Sequence, residues 1–132
     1  MEKIWDEINK DDKVFKLLIE TIGVNIPRDL EVYIIGTGLH TMSTPFIMPI
    51  VRRGEIKVTK DQFIETIIHE IIHRFIGCVV DVVGIVENNR DVKKYWKIIS
   101  KEYKDETVLT QNHVLVYAVL EIALLELFGK KD

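Results

Sequence analysis

Apolar and polar residues alternate along the chain with two different periods, and the changes of period divide it into elements. In residues 4–22 the apolar side chains recur every three or four positions, which predicts an amphipathic helix that ends at Gly23. Residues 30–35, LEVYII, predict a strand, and the segment GTGLHTMST after it predicts a long loop.

Two further short strands are predicted before the pattern returns to a helical period. FIMPIV is interpreted as the second strand, and the turn RRG leads from it into a short third strand, EIKV. Pro49 has no N–H to donate to a neighbouring strand. We therefore expect the second strand to lie at the edge of a sheet.

The second half of the chain predicts helices. Thr59 and Gln62 have the spacing of a capping box, which starts a helix that continues to about residue 76. Another amphipathic helix is predicted over residues 88–103. The last helix is predicted to begin at Thr110, and because it is apolar nearly all round we expect it to be buried. CVVDVVGIV fits either a strand or a buried helix.

This order of elements predicts an α+β fold. It would have an N-terminal helix, a small, mostly antiparallel sheet with an edge strand, a buried central helix and C-terminal helices. A chain of 132 residues is expected to form a single domain, residues 1–132.

Charge and cysteine content narrow the class of protein. The net charge of −3 argues against nucleic acid as the main partner. The single cysteine, Cys78, excludes an intramolecular disulfide and fits a reducing compartment, and the acidic N-terminus does not have the pattern of a secretory signal. The longest apolar run is interrupted by Glu121 and Glu126, so no membrane contact is expected. A cytoplasmic location is predicted.

The segment TIIHEIIHRFIG carries the clearest chemistry in the chain. His69 and His73 are four residues apart on the predicted helix, so both imidazoles can face one metal ion. Glu70 is close enough to accept a proton from a water on that ion without binding the ion itself. The alternative is a pair of core histidines with ordinary hydrogen bonds. Two histidines and a glutamate are expensive to bury without partners, and this favours a metal site.

The same residues resemble the extended signature of the zincin metallopeptidases. The residues that match this signature are Thr66, Ile67, Ile71, Ile72 and Phe75. Arg74 departs from it, because that position is usually uncharged in the family. The order of elements is also similar to the smallest zincins. The resemblance implies a zinc-dependent peptidase in which Glu70 is the general base.

A catalytic zinc needs a third protein ligand. Val79 stands where metzincins have a histidine, so the chain is not similar to that branch. Gluzincins take a glutamate from a later helix, often after asparagine, and here His113 follows an asparagine in TQNHVLVYA. We predict His113 as the ligand, because the start of a helix favours a neutral imidazole. Tyr117, one turn later, could donate a hydrogen bond to a developing oxyanion or could be an ordinary core residue.

Glu121 is the rival third ligand. It lies roughly 12 Å along the helix from His113, so the two cannot easily bind one ion. Weaker candidates for a ligand or a cleft residue are Glu87, Glu102, Glu106 and His40.

Two functions are compatible with this sequence. The first is a small intracellular zinc-dependent peptidase that binds a peptide or protein substrate along FIMPIV by strand addition. The second is a non-catalytic zinc-binding domain, or a regulator that binds protein or nucleic acid. An open fourth coordination position would distinguish the enzyme from a structural zinc site.

Overall fold

A computed structural model describes residues 2–23, 32–35, 42–43, 46–49, 51–52, 55–56, 58–76 and 90–129. The helices are α1 (Glu2–Ile8), α2 (Lys13–Ile22), α3 (Lys60–Ile76), α4 (Arg90–Glu102) and α5 (Val108–Phe128). The strands are β1 (Val32–Ile35), β2 (Met42–Ser43), β3 (Phe46–Pro49), β4 (Val51–Arg52) and β5 (Glu55–Ile56). CVVDVVGIV, which was compatible with two structures, lies outside these residues.

The prediction of an α+β fold built on a sheet is wrong. Helices make up 84% of the residues whose backbone and burial are both described. Among the described residues, strand pairing involves four residues between β1 and β3 and two residues in each of the pairs β2–β3 and β4–β5. Strands this short cannot bury a sheet face. The buried apolar side chains of the described residues lie instead on α2, α3, α4 and α5, so helix packing forms the core.

The position predicted for the second strand is also wrong. β3 lies between β1 and β2, and it pairs with β1 in parallel, so it is not an edge strand of a mostly antiparallel sheet. Pro49 is the last residue of β3, opposite Ile35. At the end of a strand the missing N–H interrupts no further pairing, and proline is therefore compatible with a central strand here.

The N-terminal helix is divided where a continuous helix was predicted. A 3-10 turn, Lys10–Asp12, separates α1 from α2, and Asp11 and Asp12 have φ values of 58° and 61°. Aspartate tolerates this left-handed backbone better than most residues. The Asn9 side chain then accepts a hydrogen bond from the Val14 N–H at 3.1 Å. Gly23, with φ 75°, ends α2 as predicted.

The predicted start of α3 is confirmed in detail. Thr59 Oγ1 accepts a hydrogen bond from the Gln62 N–H at 3.2 Å, and Gln62 Oε1 accepts one from the Thr59 N–H at 3.1 Å. Two N–H groups that have no partner within the helix are satisfied in this way. The helix then buries one apolar side, and its fully buried side chains are Phe63, Ile68, Ile71, Ile72 and Ile76.

We expect Thr59→Ala to lower the free energy of unfolding by about 1 kcal/mol, because the Gln62 N–H loses its partner. Gln62→Ala should have a smaller effect, and the double variant should be less destabilised than the sum of the two. Urea denaturation of the four proteins measures this coupling. Additive effects would show that the two hydrogen bonds do not act together.

α4 is held against the C-terminal end of α3 by a buried tryptophan. Trp96 is 7% exposed, and its Nε1–H donates to the Ile76 carbonyl at 3.2 Å. The lysines on the other side of α4, Lys93, Lys94, Lys97 and Lys101, are all exposed, as expected for a solvated helix face.

α5 begins two residues earlier than predicted, because Thr107 rather than Thr110 is the N-cap. Its side chain accepts a hydrogen bond from the Thr110 N–H at 3.1 Å. The prediction that this helix is buried is wrong, since Ile122, Leu125 and Phe128 are 43–51% exposed. Among the described residues, α5 is the one helix long and apolar enough to cross a membrane, and 33% of its apolar 18-residue stretch is buried. The core helix of a soluble protein meets the same criterion.

Candidate metal centre

The packing of α3 against α5 brings three of the four histidines together. His69 and His73 are one helical turn apart on α3, and their ring centroids are 4.6 Å apart. His113, from α5, lies with its ring centroid 4.8 Å from that of His73 and 5.7 Å from that of His69. The three candidate ligands predicted from the sequence are therefore neighbours.

The spacing of the nitrogen atoms is close to what a metal ion requires. One ring nitrogen from each histidine lies within 4.8 Å of the other two. Zinc–nitrogen bonds of ~2.0–2.1 Å in a tetrahedron place the nitrogens ~3.4 Å apart. For one zinc ion to contact all three rings, the widest of these separations would have to close by at most about 1–1.5 Å. Imidazole ligands suit zinc, copper, iron and nickel, so the donor set fits a transition metal.

A backbone carbonyl fixes the tautomer of His113. Its Nδ1 lies 2.9 Å from the carbonyl oxygen of Leu109. A carbonyl can only accept, so Nδ1 carries the proton and donates, and the lone pair of Nε2 is left for a ligand. The helix dipole, from which the ligating form of His113 was predicted, has little influence at this position. His113 lies in the second turn of α5, whereas the influence of the dipole falls off within the first.

The environment of His69 also favours the ligating form. Burial, followed by the nearby His113, lowers the pKa of His69 to about 4. Its imidazole is therefore neutral at physiological pH without a metal, and binding an ion displaces no proton from it. His73 is more deeply buried, with 7% of its surface exposed.

Glu70, which follows His69 directly in the chain, carries a buried carboxyl group. Its side chain is 9% exposed, and it is not one of the residues whose ligand atoms converge. Burial raises the pKa of Glu70 to about 7. A carboxyl group near neutral pKa is well matched to proton transfer at physiological pH. The burial and the raised pKa of Glu70 are thus compatible with the predicted role as a base that does not bind the ion.

The raised pKa of Glu70 predicts a pH-dependent gain of stability for Glu70→Gln in the metal-free protein. The carboxyl group of Glu70 holds its proton more tightly in the folded state than in the unfolded state. Its contribution to the free energy of unfolding is therefore complete below about pH 4.5 and is lost as pH rises through about 7. Glutamine remains neutral. The variant should therefore exceed wild type by about 1–3 kcal/mol at pH 8 and match it near pH 4.5.

Urea unfolding of the metal-free proteins at the two pH values measures this difference. Glu126→Gln is the matched control, because Glu126 is an exposed carboxylate on α5 and its removal should change stability by less than about 0.5 kcal/mol at either pH. Equal stability of wild type and Glu70→Gln at pH 8 would contradict the buried environment of Glu70.

Tyr117 lies at the solvent side of the cluster. Its ring centroid is 5.2 Å from that of His69 and 5.8 Å from that of His113. It is 54% exposed, so it is not the core residue that was the alternative to a catalytic role. The ring of Tyr117 is therefore an exposed neighbour of the His69 and His113 rings.

The other candidate ligands are not in the cluster. Glu121 was the rival ligand on a helix expected to be buried, but it is exposed and lies outside the group of converging ligand atoms. Glu102 and Glu106 are exposed at the end of α4 and in the turn after it. His40 and Glu87 lie outside the described residues.

A groove between α3 and α5 adjoins the cluster, and the sequence analysis missed it. It has a volume of about 880 Å³, and its lining includes Tyr117, Asp61, Glu65 and Glu121. This α3–α5 groove is within the usual size range of ligand sites. The sequence did contain a signal for this groove. Asp61, Glu65 and His69 follow one another at intervals of four residues, which places them along one side of the predicted helix.

Comparison with known proteins found no matching protein-family model, no matching curated protein and no matching solved structure. The similarity to zincins therefore rests on the motif residues around His69 and His73. Function has to be argued from the geometry of the site.

Proposed function

We propose that the protein is a small zinc-dependent hydrolase that cleaves peptide bonds. The observation that carries this proposal is the convergence of His69, His73 and His113 from two packed helices. Three imidazoles are an established ligand set for hydrolytic zinc, with the fourth position left for water or substrate.

Each polar group around the cluster has a role in such a reaction. Zinc at this site would lower the pKa of a coordinated water and polarise the scissile carbonyl. Glu70, next to the first ligand in the chain, would accept the proton of the attacking water and pass it to the leaving amine. Tyr117 would donate a hydrogen bond to the oxygen on which negative charge develops.

The exposure of the site supports a catalytic rather than a structural ion. Structural zinc sites are closed by four protein ligands. Within the described residues, the converging ligand set contains three histidines, and the neighbouring Tyr117 is exposed beside a groove. A substrate could therefore reach the fourth position from the side of Tyr117.

The route first expected for the substrate is not available. A peptide was predicted to add to FIMPIV as a further strand, but β3 has β1 on one side and β2 on the other. Strand addition needs a free edge. The α3–α5 groove is the approach that supports the proposal instead.

The proposal predicts one zinc per chain and zinc-dependent cleavage of peptides. Metal content is measured on protein prepared with zinc, and cleavage of a mixed peptide library is followed by mass spectrometry with and without a chelator. His73→Ala is the control for both measurements. Stoichiometric zinc without cleavage would favour the non-catalytic metal-binding protein, and absence of zinc would remove both functions.

A further inference from the structure

The histidine cluster is one end of a longer polar seam along α3 and α5. On each helix the seam residues follow one another at intervals of four, so they lie on one face. On α3 they are Asp61, Glu65, His69 and His73, and on α5 they are His113, Tyr117 and Glu121, with the apolar Leu125 one turn further. Tyr117 belongs both to the cluster and to the lining of the α3–α5 groove, so the groove begins where the histidines end.

The groove combines an apolar floor with an acidic rim. Ile64, Leu120 and Leu124 provide apolar surface, and Phe128 closes the far end. The charged groups among the described lining residues are all carboxylates: Asp61, Glu65 and Glu121. All three are exposed, and the structure shows no ion pair for them within the described part of the chain.

We propose that the α3–α5 groove binds the part of a peptide substrate next to the scissile bond and selects lysine or arginine beside bulky apolar residues. This rests on the proposed hydrolase function. Carboxylates at the rim complement a cationic side chain, and the floor accepts leucine-sized groups. The volume of about 880 Å³ is enough for several side chains of one extended segment.

The same charges argue against two other occupants. A second copy of the chain, docked by two-fold symmetry, would place Glu65 and Glu121 of both copies in one interface, where like charges repel. A lipid bilayer would have to take up Asp61, Glu65 and Glu121 without a cation to neutralise them. A cationic peptide removes both difficulties.

The test uses metal-free wild-type protein, which keeps binding separate from cleavage. The probes are two fluorescein-labelled ten-residue peptides, one of alternating lysine and leucine and one of alternating glutamate and leucine, followed by fluorescence anisotropy. We expect the lysine peptide to bind at least tenfold more tightly in 25 mM NaCl. Its affinity should fall severalfold in 300 mM NaCl, because salt screens exposed charges.

A pair of double variants locates the binding site. Glu65→Gln with Glu121→Gln should weaken the lysine peptide at least tenfold. Glu20→Gln with Glu126→Gln removes the same net charge from exposed positions outside the groove and should leave binding nearly unchanged. Replacing leucine by serine in the lysine peptide should also weaken binding, because the floor would lose its apolar contacts.

Four results would overturn the assignment of the groove. Two concern the peptides: equal affinity of wild type for both peptides, or an equal loss of affinity for the lysine peptide in the two double variants. The other two concern different occupants: a dimer in sedimentation velocity that Leu125→Glu dissociates, or binding to phosphatidylcholine vesicles that Leu125→Glu abolishes. Failure of the hydrolase function is distinguishable. If the lysine peptide binds in the groove but zinc-loaded protein cleaves no peptide, the groove stands as a binding site and the enzyme does not.

Discussion

His113→Ala is expected to weaken zinc binding by more than about 100-fold, since even partners in the second shell of a metal are worth roughly 10–100-fold. The variant removes one of three converging imidazoles, and two ligands on one helix are insufficient for a stable tetrahedral site. In the variant, zinc should also no longer link α3 to α5, because the ligand on α5 is missing. Zinc should therefore raise the unfolding temperature of wild type but have little effect on the variant.

Glu121→Gln is the matched comparison, because Glu121 was the rival ligand and lies two helical turns further along α5. Its side chain is exposed and outside the cluster, so zinc affinity should change by less than about threefold. Competition with a chromophoric chelator measures both variants. A loss of zinc affinity in Glu121→Gln, with normal zinc affinity in His113→Ala, would show that Glu121 is the third ligand. It would contradict the packing of α3 against α5 that brings the three histidines together.

Glu70→Gln is expected to lower kcat for peptide hydrolysis by about 10²–10⁴-fold and to leave zinc content unchanged. The amide has nearly the shape of the carboxyl group but cannot accept the proton of the attacking water. Glu70 is outside the set of converging ligand atoms, so the ion should remain bound. The variant thus separates the role of the base from that of the ligands.

Measurement of kcat and zinc content on the same preparations decides the point. Glu126→Gln, which removes an exposed carboxylate outside the groove, is the control and should keep its kcat. A Glu70→Gln protein that cleaves as fast as wild type would exclude Glu70 as the base. A protein that has lost its zinc would show that Glu70 holds the ion instead.

Tyr117→Phe tests the proposed oxyanion contact. Removing one hydrogen-bond donor from a developing oxyanion costs roughly 10²-fold in kcat with little change in KM. Because Tyr117 is 54% exposed, the loss of its hydroxyl should not affect folding. An unchanged kcat would leave Tyr117 only as part of the groove wall.

Local sequence determined α3 and the two motif histidines on it. The capping box joins Thr59 to Gln62 within one turn, and the spacing of His69 and His73 places them on one face of any α-helix. The division between α1 and α2 is local too, since it depends on Asn9, Asp11 and Asp12. The apolar period suggested one helix, and the turn-forming residues outweighed it.

Only the tertiary structure decided how α3 and α5 meet. His113 is forty residues beyond His73 in the chain, and no periodicity specifies that its ring lies 4.8 Å away. The prediction of the fold class was wrong for a related reason. Apolar runs such as FIMPIV have strand character, but the buried core is formed by helices that pack against each other. The identity of a residue likewise does not specify how deeply it is buried. The apolar composition of α5 suggested a buried Glu121, whereas packing covers one side of that helix and leaves Tyr117 and Glu121 exposed.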